Sequence, residues 1–380
     1  MAKRVKIGLL FYYDENWIAG SYYIINLIHS LNLLEDKQKP ELIILSEKSD
    51  DFEKIQEINY PYIHYKLLNV ELNLVYRAIN KITRKFIFKR NIIRNVDTNV
   101  DLLFPSNGSL ALSWIKKHLF WIPDFQELRL PQFFPNEDLV TRKKNRKIFS
   151  LSNGNVIFSS QDAQDDYNFF FPDNVTKNQV LHFNVFHPDF SELDEKVLLK
   201  YGLNKTNYFF SPNQFWKHKN HIVILEALVH LKKPNKLNFT VAFSGKEYDY
   251  RNPNYFEELQ QYVKQNDIQD HVKFLGFIDR KEQLYIMKNA LAVIQPSFFE
   301  GWSTVIEDAK RLNQNCIVSD LKVNQEQLGD KGFYFDPNDA GELAALLLKF
   351  NTEKIINPNF DYEEQSKLFG IKFMEIINSL

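Results

Sequence analysis

Short apolar runs alternate with longer amphipathic stretches along the chain. The first run spans Val5 to Phe11, and the stretch after it places Ile24, Leu27, Leu31 and Leu34 on one helical face. An apolar run of this length is typical of a parallel strand that is covered on both faces. The same rhythm predicts strands at 5–11, 41–46, 63–67, 101–105, 118–123, 155–159, 180–183, 208–211, 239–243, 272–275, 291–294, 316–318 and 332–335. The pattern therefore predicts an α/β protein with parallel sheets.

A polar stretch interrupts this rhythm near the middle of the chain. It runs from Phe186 to Thr206 and contains one short predicted helix, at about 193–201. Since 380 residues suit two domains of ordinary size, we place the hinge between two domains in this stretch.

Composition narrows the class of protein. The chain is 44% hydrophobic and 25% charged, as in globular proteins, and its net charge of −1 offers no overall attraction to nucleic acid. The single cysteine, Cys316, cannot form an internal disulfide, which fits a reducing compartment. No segment reaches the roughly 18 apolar residues that span a bilayer. We therefore expect a cytoplasmic protein, at most peripheral at the inner face of a membrane.

The stretch from Gln295 to Ala309 carries the clearest candidate chemistry. It follows a predicted strand, contains a turn at Gly301, and continues into a predicted helix with Ser303 or Thr304 as N-cap. A strand, a tight turn and a helix start direct free backbone N–H groups and the positive end of a helix at one point. Such a point suits a phosphate or a diphosphate.

Two acids, Glu300 and Asp308, frame this turn with seven residues between them. Carboxylates suit hydroxyl groups rather than phosphate, so the combination fits a nucleotide-sugar, which has a diphosphate between two polyols. The spacing resembles the signature of retaining GT-B glycosyltransferases of family 4. In that family the second acid is usually Glu, and here Glu307 falls one position early. The resemblance implies that Glu300 contacts the transferred sugar and that Asp308 contacts the ribose.

A second match surrounds Lys219, which precedes a predicted amphipathic helix. The helix dipole disfavours a cation at that position unless an anionic ligand is bound nearby. The resemblance makes Lys219 the residue that binds the donor diphosphate, together with the helix start at Trp302, Ser303 and Thr304. The family's upstream Arg is replaced by Gln214, which removes one positive charge.

The first domain carries a weaker match. Asp124-Phe-Gln is followed by Glu127, where the family typically has His. Either acid is a candidate hydrogen-bond partner or weak base for the acceptor hydroxyl. The alternative is a loop carboxylate that caps a neighbouring turn. The family commonly has two glycines near residue 20 that contact donor phosphate or acceptor, and Gly20-Ser21 keeps one of them.

Two further loops of the second domain follow predicted strands, at Gly245 and at Gly276. Ligands of open α/β sheets bind at the carboxyl ends of the strands, so both loops should reach the same cleft. The resemblance places the nucleotide base near Phe277 and Ile278. The nine histidines show no spacing typical of metal ligands.

The resemblance implies a GT-B fold, in which two Rossmann-like doubly wound domains face a cleft. Residues 1–187, with a C-terminal helix at 362–380 that crosses back, would form the acceptor-side domain, and residues 188–361 the donor-binding domain. The implied activity is retaining transfer of a sugar from a nucleotide diphosphate sugar to a glycan or lipid-linked acceptor, without metal or cofactor, in cell-surface polysaccharide or lipopolysaccharide synthesis. Two alternatives stay open: a nucleotide-sugar epimerase on the same fold, and a non-catalytic GT-B scaffold.

The segment 76–95 has an unusual charge pattern. Seven cations and no acid occur in it, interleaved with Ile and Phe residues: Arg77, Lys81, Arg84, Lys85, Lys89, Arg90 and Arg94. A basic amphipathic helix of this kind suits an anionic membrane surface. The alternative is that its apolar face packs on the first domain's sheet and the cations are merely solvated.

Overall fold

The fold is described from a computed structural model. It describes residues 4–13, 18–68, 72, 74–87, 92–93, 99–108, 112–205 and 207–380. The basic segment at 76–95 is therefore described in part, and Lys89, Arg90 and Arg94 lie outside the described residues.

Within these residues, the N-terminal half builds a sheet of seven parallel strands in the order β3-β2-β1-β4-β5-β6-β7. The strands are β1 Lys6–Leu10, β2 Glu41–Ser46, β3 Ile63–Leu67, β4 Leu102–Phe104, β5 Lys117–Ile122, β6 Asn155–Phe158 and β7 Lys177–Val180. The strand order reverses between β1 and β4. Such a switch point opens a crevice at the carboxyl edge of a doubly wound sheet.

The C-terminal half repeats this arrangement with six parallel strands in the order β10-β9-β8-β11-β12-β13. The described strands are β8 Tyr208–Ser211, β9 Thr240–Phe243, β10 Val272–Phe274, β11 Val293–Gln295, β12 Cys316–Ser319 and β13 Phe333–Phe335. Here the order reverses between β8 and β11. The loops that follow these two strands contain Lys219 and Glu300, so the topology itself brings the two sequence motifs together.

Helices connect the strands and cover the sheets. Their bounds are α1 Ile18–Asn32, α2 Glu53–Gln56, α3 Leu74–Ile82, α4 Gln126–Arg129, α5 Asn136–Ser150, α6 Gln161–Phe170, α7 Lys196–Lys200, α8 His221–Lys232, α9 Tyr255–Gln265, α10 Arg280–Asn289, α11 Thr304–Arg311, α12 Lys322–Leu328, α13 Ala340–Thr352 and α14 Tyr362–Ser379. In the parts of the chain that are described, none of them is long and apolar enough to cross a membrane.

The last helix packs on the first domain. Phe369 and Phe373 of α14 join the core that Leu27 and Leu31 of α1 build against the N-terminal sheet. Gly370 permits this packing, because a Cβ there would lie 2.8 Å from the carbonyl oxygen of Ser30. The predicted crossing of the C-terminal helix back to the first domain is confirmed.

One strand prediction is wrong in position. The apolar run at 180–183 was expected to form the strand, whereas β7 is Lys177–Val180. Lys177 and Gln179 are exposed, as on the edge of a sheet, while Leu181 and Phe183 leave the sheet and are buried in the core. Apolar content indicated burial here, but the apolar residues lie at and beyond the end of the strand, where the N–H of Leu181 still donates to the carbonyl oxygen of Phe158.

Candidate active site

The two sheets open onto a shared cleft of about 1040 Å³, lined by loops from both domains. Nearly all of the predicted site residues line it: Asp124, Glu127, Gln214, Lys219, Gly245, Phe277, Ile278, Glu300, Gly301, Trp302, Ser303, Thr304 and Asp308. The exception is Gly20. It is buried in the first turn of α1, which begins at Ile18, and its neighbours Ala19 and Tyr22 line the cleft instead.

The centre of the second domain's wall is an ion pair between Lys219 and Glu300. Nζ of Lys219 donates to Oε1 of Glu300 at 2.7 Å, and the amide of Gln295 donates to the same oxygen. Both charged side chains are mostly buried. No donor in the described part of the chain bonds Oε2 of Glu300, so this oxygen is available to a ligand. The pair holds one cation and one carboxylate oxygen at a fixed place in the cleft.

Helix α11 begins directly after this pair. The hydroxyl of Ser303 caps it by accepting from the N–H of Ile306, which confirms Ser303 as the N-cap. The N–H of Ser303 itself donates to Gln327 at 2.9 Å. The N–H groups that α11 can offer a ligand therefore begin at Thr304 and Val305, two residues later than the predicted start at Trp302.

Asp308 lies one turn further along α11, in a buried network. Arg280 donates to both of its carboxylate oxygens, with Nη1 2.8 Å from Oδ2, and Nε2 of His187 lies 3.0 Å from Oδ1. Burial alone would raise the pKa of Asp308, but the charge of Arg280 and the hydrogen bond from His187 outweigh it, and the net pKa is lowered. Asp308 is therefore an ionised carboxylate that fixes a guanidinium in the cleft wall.

The neighbouring acid, Glu307, faces the opposite way. It is fully buried and does not line the cleft. Its carboxylate accepts from Lys310 at 2.8 Å, Gln327 at 3.0 Å, Asn184 at 3.3 Å and Tyr362 at 2.7 Å. Glu307 therefore connects α11 to the segment after β7 and to the start of α14. Of the two adjacent acids, Asp308 is the one in register with the cleft.

The first domain meets the Gly301 turn at Asp124. A Cβ at residue 301 would lie 2.7 Å from Cβ of Asp124 and 2.8 Å from the carbonyl oxygen of Pro123. Glycine at this position thus lets the loops of the two domains touch. Burial raises the pKa of Asp124 to about 6, and the nearby acids Glu127 and Glu300 add to this effect against a hydrogen bond from the N–H of Gln126. Near neutral pH, Asp124 can therefore gain and lose a proton.

Trp302 also connects the domains. Its ring stacks on that of His182 with centroids 4.3 Å apart, and its Nε1 donates to the carbonyl oxygen of Phe183 at 3.0 Å. His182 in turn bonds Glu326 of the second domain, which accepts from the N–H of Gln161 at the start of α6. The turn that carries Glu300 is thus braced against the first domain.

Glu127 is almost fully buried, at 2% exposure. Its nearest cation is Arg146 of α5, with Nε 3.6 Å from Oε1, and that oxygen has no hydrogen bond in the described structure. The position fits a counter-ion for Arg146 better than a base, because Glu127 is almost fully buried although it lies in the cleft wall. The prediction for Glu127 stays untested.

The remaining predicted loops close one end of the second domain's wall. Gly245 lies so close to the loop of Gln214 that a Cβ would be 2.3 Å from the carbonyl oxygen of Asn213. Phe277 is largely exposed and Ile278 is partly buried beside it. This wall offers apolar surface and backbone groups near the start of α10.

Several cleft residues were not predicted from the sequence, namely Arg142, Arg146, Trp216, Arg251 and Arg280. For Arg280 a signal existed, because Asp279 and Glu282 bracket it as a capping pair directly after a predicted strand. For Arg142 and Arg146 none did, since five cations lie on α5 and the sequence does not show which face reaches the cleft. Among the described residues, no group of His, Cys, Asp and Glu could hold a metal ion.

Two Rossmann-like domains that face a common cleft, with the last helix returning to the first domain, define the GT-B fold. The family model described as Glycosyl transferases group 1 matches residues 195–367. The similarity to this family lies in the C-terminal half of the chain, which contains the Lys219 and Glu300 motifs.

Two known glycosyltransferases are similar to part of the chain. The chain is 26% identical over 155 residues to O-antigen chain mannosyltransferase B of Escherichia coli, which covers 40% of this chain and 39% of that protein. It is 23% identical over 172 residues to the E. coli UDP-Gal:alpha-D-GlcNAc-diphosphoundecaprenol alpha-1,3-galactosyltransferase, covering 44% and 41%. The matches thus span about two fifths of these relatives' lengths.

The fold likeness extends over the whole chain. The crystal structure of Anabaena HepE in complex with UDP and glucose superposes with a TM-score of 0.67 at 16% identity, covering 99% of this chain and all of that one. At this identity, the likeness shows the GT-B fold alone.

Proposed function

We propose that this protein is a retaining glycosyltransferase that moves a sugar from a nucleotide diphosphate sugar to a hydroxyl group, in the synthesis of a cell-surface polysaccharide. The observation that carries the proposal is the Lys219–Glu300 pair at the switch point of the second sheet, beside the start of α11. One cation and the free N–H groups of a helix suit a diphosphate, and a fixed carboxylate beside them suits sugar hydroxyls. The similarity of residues 195–367 to the model of Glycosyl transferases group 1 supports the same activity.

Donor binding follows from these contacts. In the donor complex, the ammonium group of Lys219 contacts the diphosphate as well as Glu300. The N–H groups of Thr304 and Val305 donate to the same diphosphate. As the bond between the anomeric carbon and the phosphate oxygen breaks, negative charge grows on the departing diphosphate. Groups already in place for that charge lower the barrier without reorganising. Arg280, held by Asp308, supplies a second fixed cation on the same wall and compensates for the absence of an Arg at Gln214.

Sugar transfer takes place where the two domains touch. Oε2 of Glu300 holds hydroxyls of the transferred sugar, and Asp124 faces the acceptor hydroxyl. The acceptor oxygen forms the new bond to the anomeric carbon on the face from which the diphosphate leaves, which retains the configuration. The departing phosphate oxygen takes the acceptor proton, and Asp124 acts as a hydrogen-bond partner. In this scheme Lys219 and the helix start neutralise the phosphates, so no metal is needed.

The activity is tested by incubating the protein with UDP- and GDP-sugars and lipid-linked or alkyl-linked glycan acceptors. We expect release of nucleoside diphosphate that depends on acceptor, survives excess EDTA, and gives a product whose anomeric configuration by NMR equals that of the donor. Inversion would contradict retention, and loss in EDTA with rescue by a divalent ion would contradict the metal-free scheme. Donor conversion without acceptor would point to an epimerase. Failure to bind any nucleotide-sugar would point to a scaffold.

We further propose that the acceptor is lipid-linked and that α3 docks the protein at the inner face of an anionic membrane. The relative named above acts on a diphosphoundecaprenol-linked sugar. In and just after α3, the apolar side chains of Leu74, Val75, Tyr76, Ile82 and Phe86 are exposed rather than packed on the sheet. Lys81 and Lys85 are exposed beside them, and each cation near an anionic surface contributes on the order of 1 kcal/mol.

Docking is tested by cosedimentation with phosphatidylglycerol vesicles at low salt. We expect the wild-type protein to pellet, and Lys81→Glu with Lys85→Glu to weaken binding several-fold. Lys143→Glu with Lys144→Glu on α5 is the matched control for a change of net charge. Wild-type protein that stays in the supernatant would contradict the membrane proposal and favour a soluble acceptor.

A further inference from the structure

Aromatic rings and guanidinium groups from both domains alternate along one part of the cleft wall. The ring of Phe134, in the first domain, has Arg142 5.5 Å and Arg251 5.1 Å from its centroid. Arg251 belongs to the second domain and also lies 5.2 Å from the ring centroid of Trp216. All four side chains line the cleft. The layer therefore bridges the two domains at the cleft surface.

The charges in this layer do not cancel. Arg251 is held by Asp249, with Nε 2.9 Å from Oδ1. Arg146, which also lines the cleft, has its Nε 3.6 Å from Oε1 of Glu127. Arg142 lies one helical turn before Arg146 on α5. Within the described structure it has no carboxylate at ion-pair distance, and its side chain is exposed. Three guanidiniums thus share two carboxylates, and the excess positive charge falls at Arg142.

An uncharged sugar would leave this charge without a partner. A guanidinium offers paired N–H donors that match a phosphate, and such charge-assisted bonds are stronger than neutral ones. The faces of Phe134 and Trp216 give apolar ring surface beside the cations, which suits the C–H face of a sugar. These cations are also separate from the proposed donor-binding residues, because Arg142 and Arg146 belong to the first domain and Lys219 belongs to the second. The chemistry of the layer fits a sugar joined to a phosphate.

We propose that Arg142 and Arg146 bind the phosphate of a glycosyl phosphate or diphosphate acceptor, with Phe134 and Trp216 against its sugar. The proposal rests on the proposed transferase function and specifies its acceptor. Asp124 lines the same cleft, on the loop that leads to α4, which packs on α5. A phosphate at Arg142 would therefore place the attached sugar within the cleft that holds the proposed transfer site.

Anion binding is measured first, without turnover. Inorganic pyrophosphate is titrated by calorimetry into Lys219→Ala, which lacks the donor-side cation, and then into this variant with Arg142→Gln or Lys143→Gln added. Lys143 is the matched control, because it is the next cation on α5 and does not line the cleft. We expect Arg142→Gln to weaken binding about tenfold or more and Lys143→Gln to change it less than twofold. Equal binding in all three proteins would overturn the anion site.

Transfer then tests the acceptor. Two acceptors that carry the same sugar are compared, one as an alkyl glycoside and one joined through a diphosphate to the same alkyl chain. We expect kcat/KM about tenfold higher for the diphosphate acceptor in the wild type and nearly equal values in Arg142→Gln. Equal use of both acceptors by the wild type would overturn this proposal and leave the transferase function standing. No transfer to either acceptor, with pyrophosphate binding still dependent on Arg142, would keep the anion site and contradict the transferase function.

A third arm separates an acceptor phosphate from a lipid headgroup. Binding to phosphatidylglycerol vesicles is measured for the Arg142→Gln and Lys143→Gln single variants. We expect the two to bind alike, since the cleft residue would not face the membrane. A loss confined to Arg142→Gln would mean that this cation serves the lipid surface, and would overturn the acceptor assignment.

Discussion

The two walls of the cleft hold their acids in opposite ways. On the second domain's wall, Glu300 and Asp308 are each bonded to a cation, Lys219 and Arg280. On the first domain's wall, Asp124 has a backbone N–H as its hydrogen-bond partner, and burial, with two acids nearby, raises its pKa to about 6. The second domain's wall therefore keeps fixed charges, whereas the first domain's wall holds a group whose charge changes near neutral pH.

This difference fits a division of work between the walls. A leaving diphosphate is stabilised best by charges that are already oriented, because nothing then has to reorganise as the bond breaks. An acceptor hydroxyl needs a partner that can accept its hydrogen bond, and a carboxyl group with a raised pKa is tuned for that purpose. Removing the charges on each wall separately tests this division.

The largest effect is expected from Lys219→Ala. Loss of this cation removes charge stabilisation of the departing diphosphate and leaves Glu300 buried without its partner, so kcat/KM should fall by about 10²–10³-fold. Lys217→Ala is the matched control, because Lys217 lies in the same short turn but is exposed. Steady-state kinetics check both variants. Near wild-type turnover in Lys219→Ala would remove the basis for a fixed-charge donor wall.

A smaller effect is expected from Asp308→Asn. The change should raise donor KM more than it lowers kcat, because it releases Arg280 but does not touch the reacting sugar. Arg280→Gln should resemble it, and the double variant should be little worse than either single one, since the two residues act as a unit. Additive losses would show that Asp308 binds the donor independently of Arg280.

Asp308 should also make the stability of the folded protein depend on pH. Its folded pKa is lowered, so its contribution is present above the pKa of the unfolded chain and is lost as pH falls through the folded value. In thermal unfolding experiments, the wild-type protein should therefore lose stability below about pH 4. The Asp308→Asn variant should lose less over the same range.

The smallest effect is expected on the acceptor wall. If Asp124 accepts the acceptor's hydrogen bond as a carboxylate, activity should rise several-fold as pH increases through about 6, its raised pKa. Asp124→Asn should lack this rise. Because the folded pKa lies above that of the unfolded chain, ionising Asp124 costs stability as pH rises from about 4 to 6, and the Asn variant should not show that loss. If the Asp124→Asn variant keeps the rise in activity, the titrating group is not Asp124.

The sequence was sufficient for the fold because parallel strands buried on both faces are marked by continuous apolar runs. The strands at 41–46, 63–67 and 208–211 were predicted to the residue. At 177–183 the same rule failed, since the paired residues there are polar and the apolar ones pack elsewhere. Apolar runs report burial, and a strand at the edge of a sheet can form without one.

The site was predicted where its residues follow strands at the switch point, as Lys219 and Glu300 do. Gly20 does not line the cleft, because α1 begins two residues before it and buries it, and its role stays a prediction. Arg280 was missed as the partner of Asp308, since 28 residues separate them and their contact depends on how α10 and α11 pack. The cations of α5 were missed because helical position alone does not say which of five reaches the cleft.

The role of the second domain's wall is tested most directly by asking whether a nucleoside diphosphate binds at Lys219. Thermal unfolding is followed with UDP, GDP and the matching monophosphates, for the wild type, Lys219→Ala and Lys217→Ala. Ligand at about 100 times its Kd stabilises the folded state by about 2.7 kcal/mol. We therefore predict that one diphosphate raises the Tm of the wild type and of Lys217→Ala by several degrees, well above its monophosphate, and leaves Lys219→Ala almost unchanged. An equal rise in Lys219→Ala, or none in the wild type with either diphosphate, would contradict the assignment of this wall to the donor.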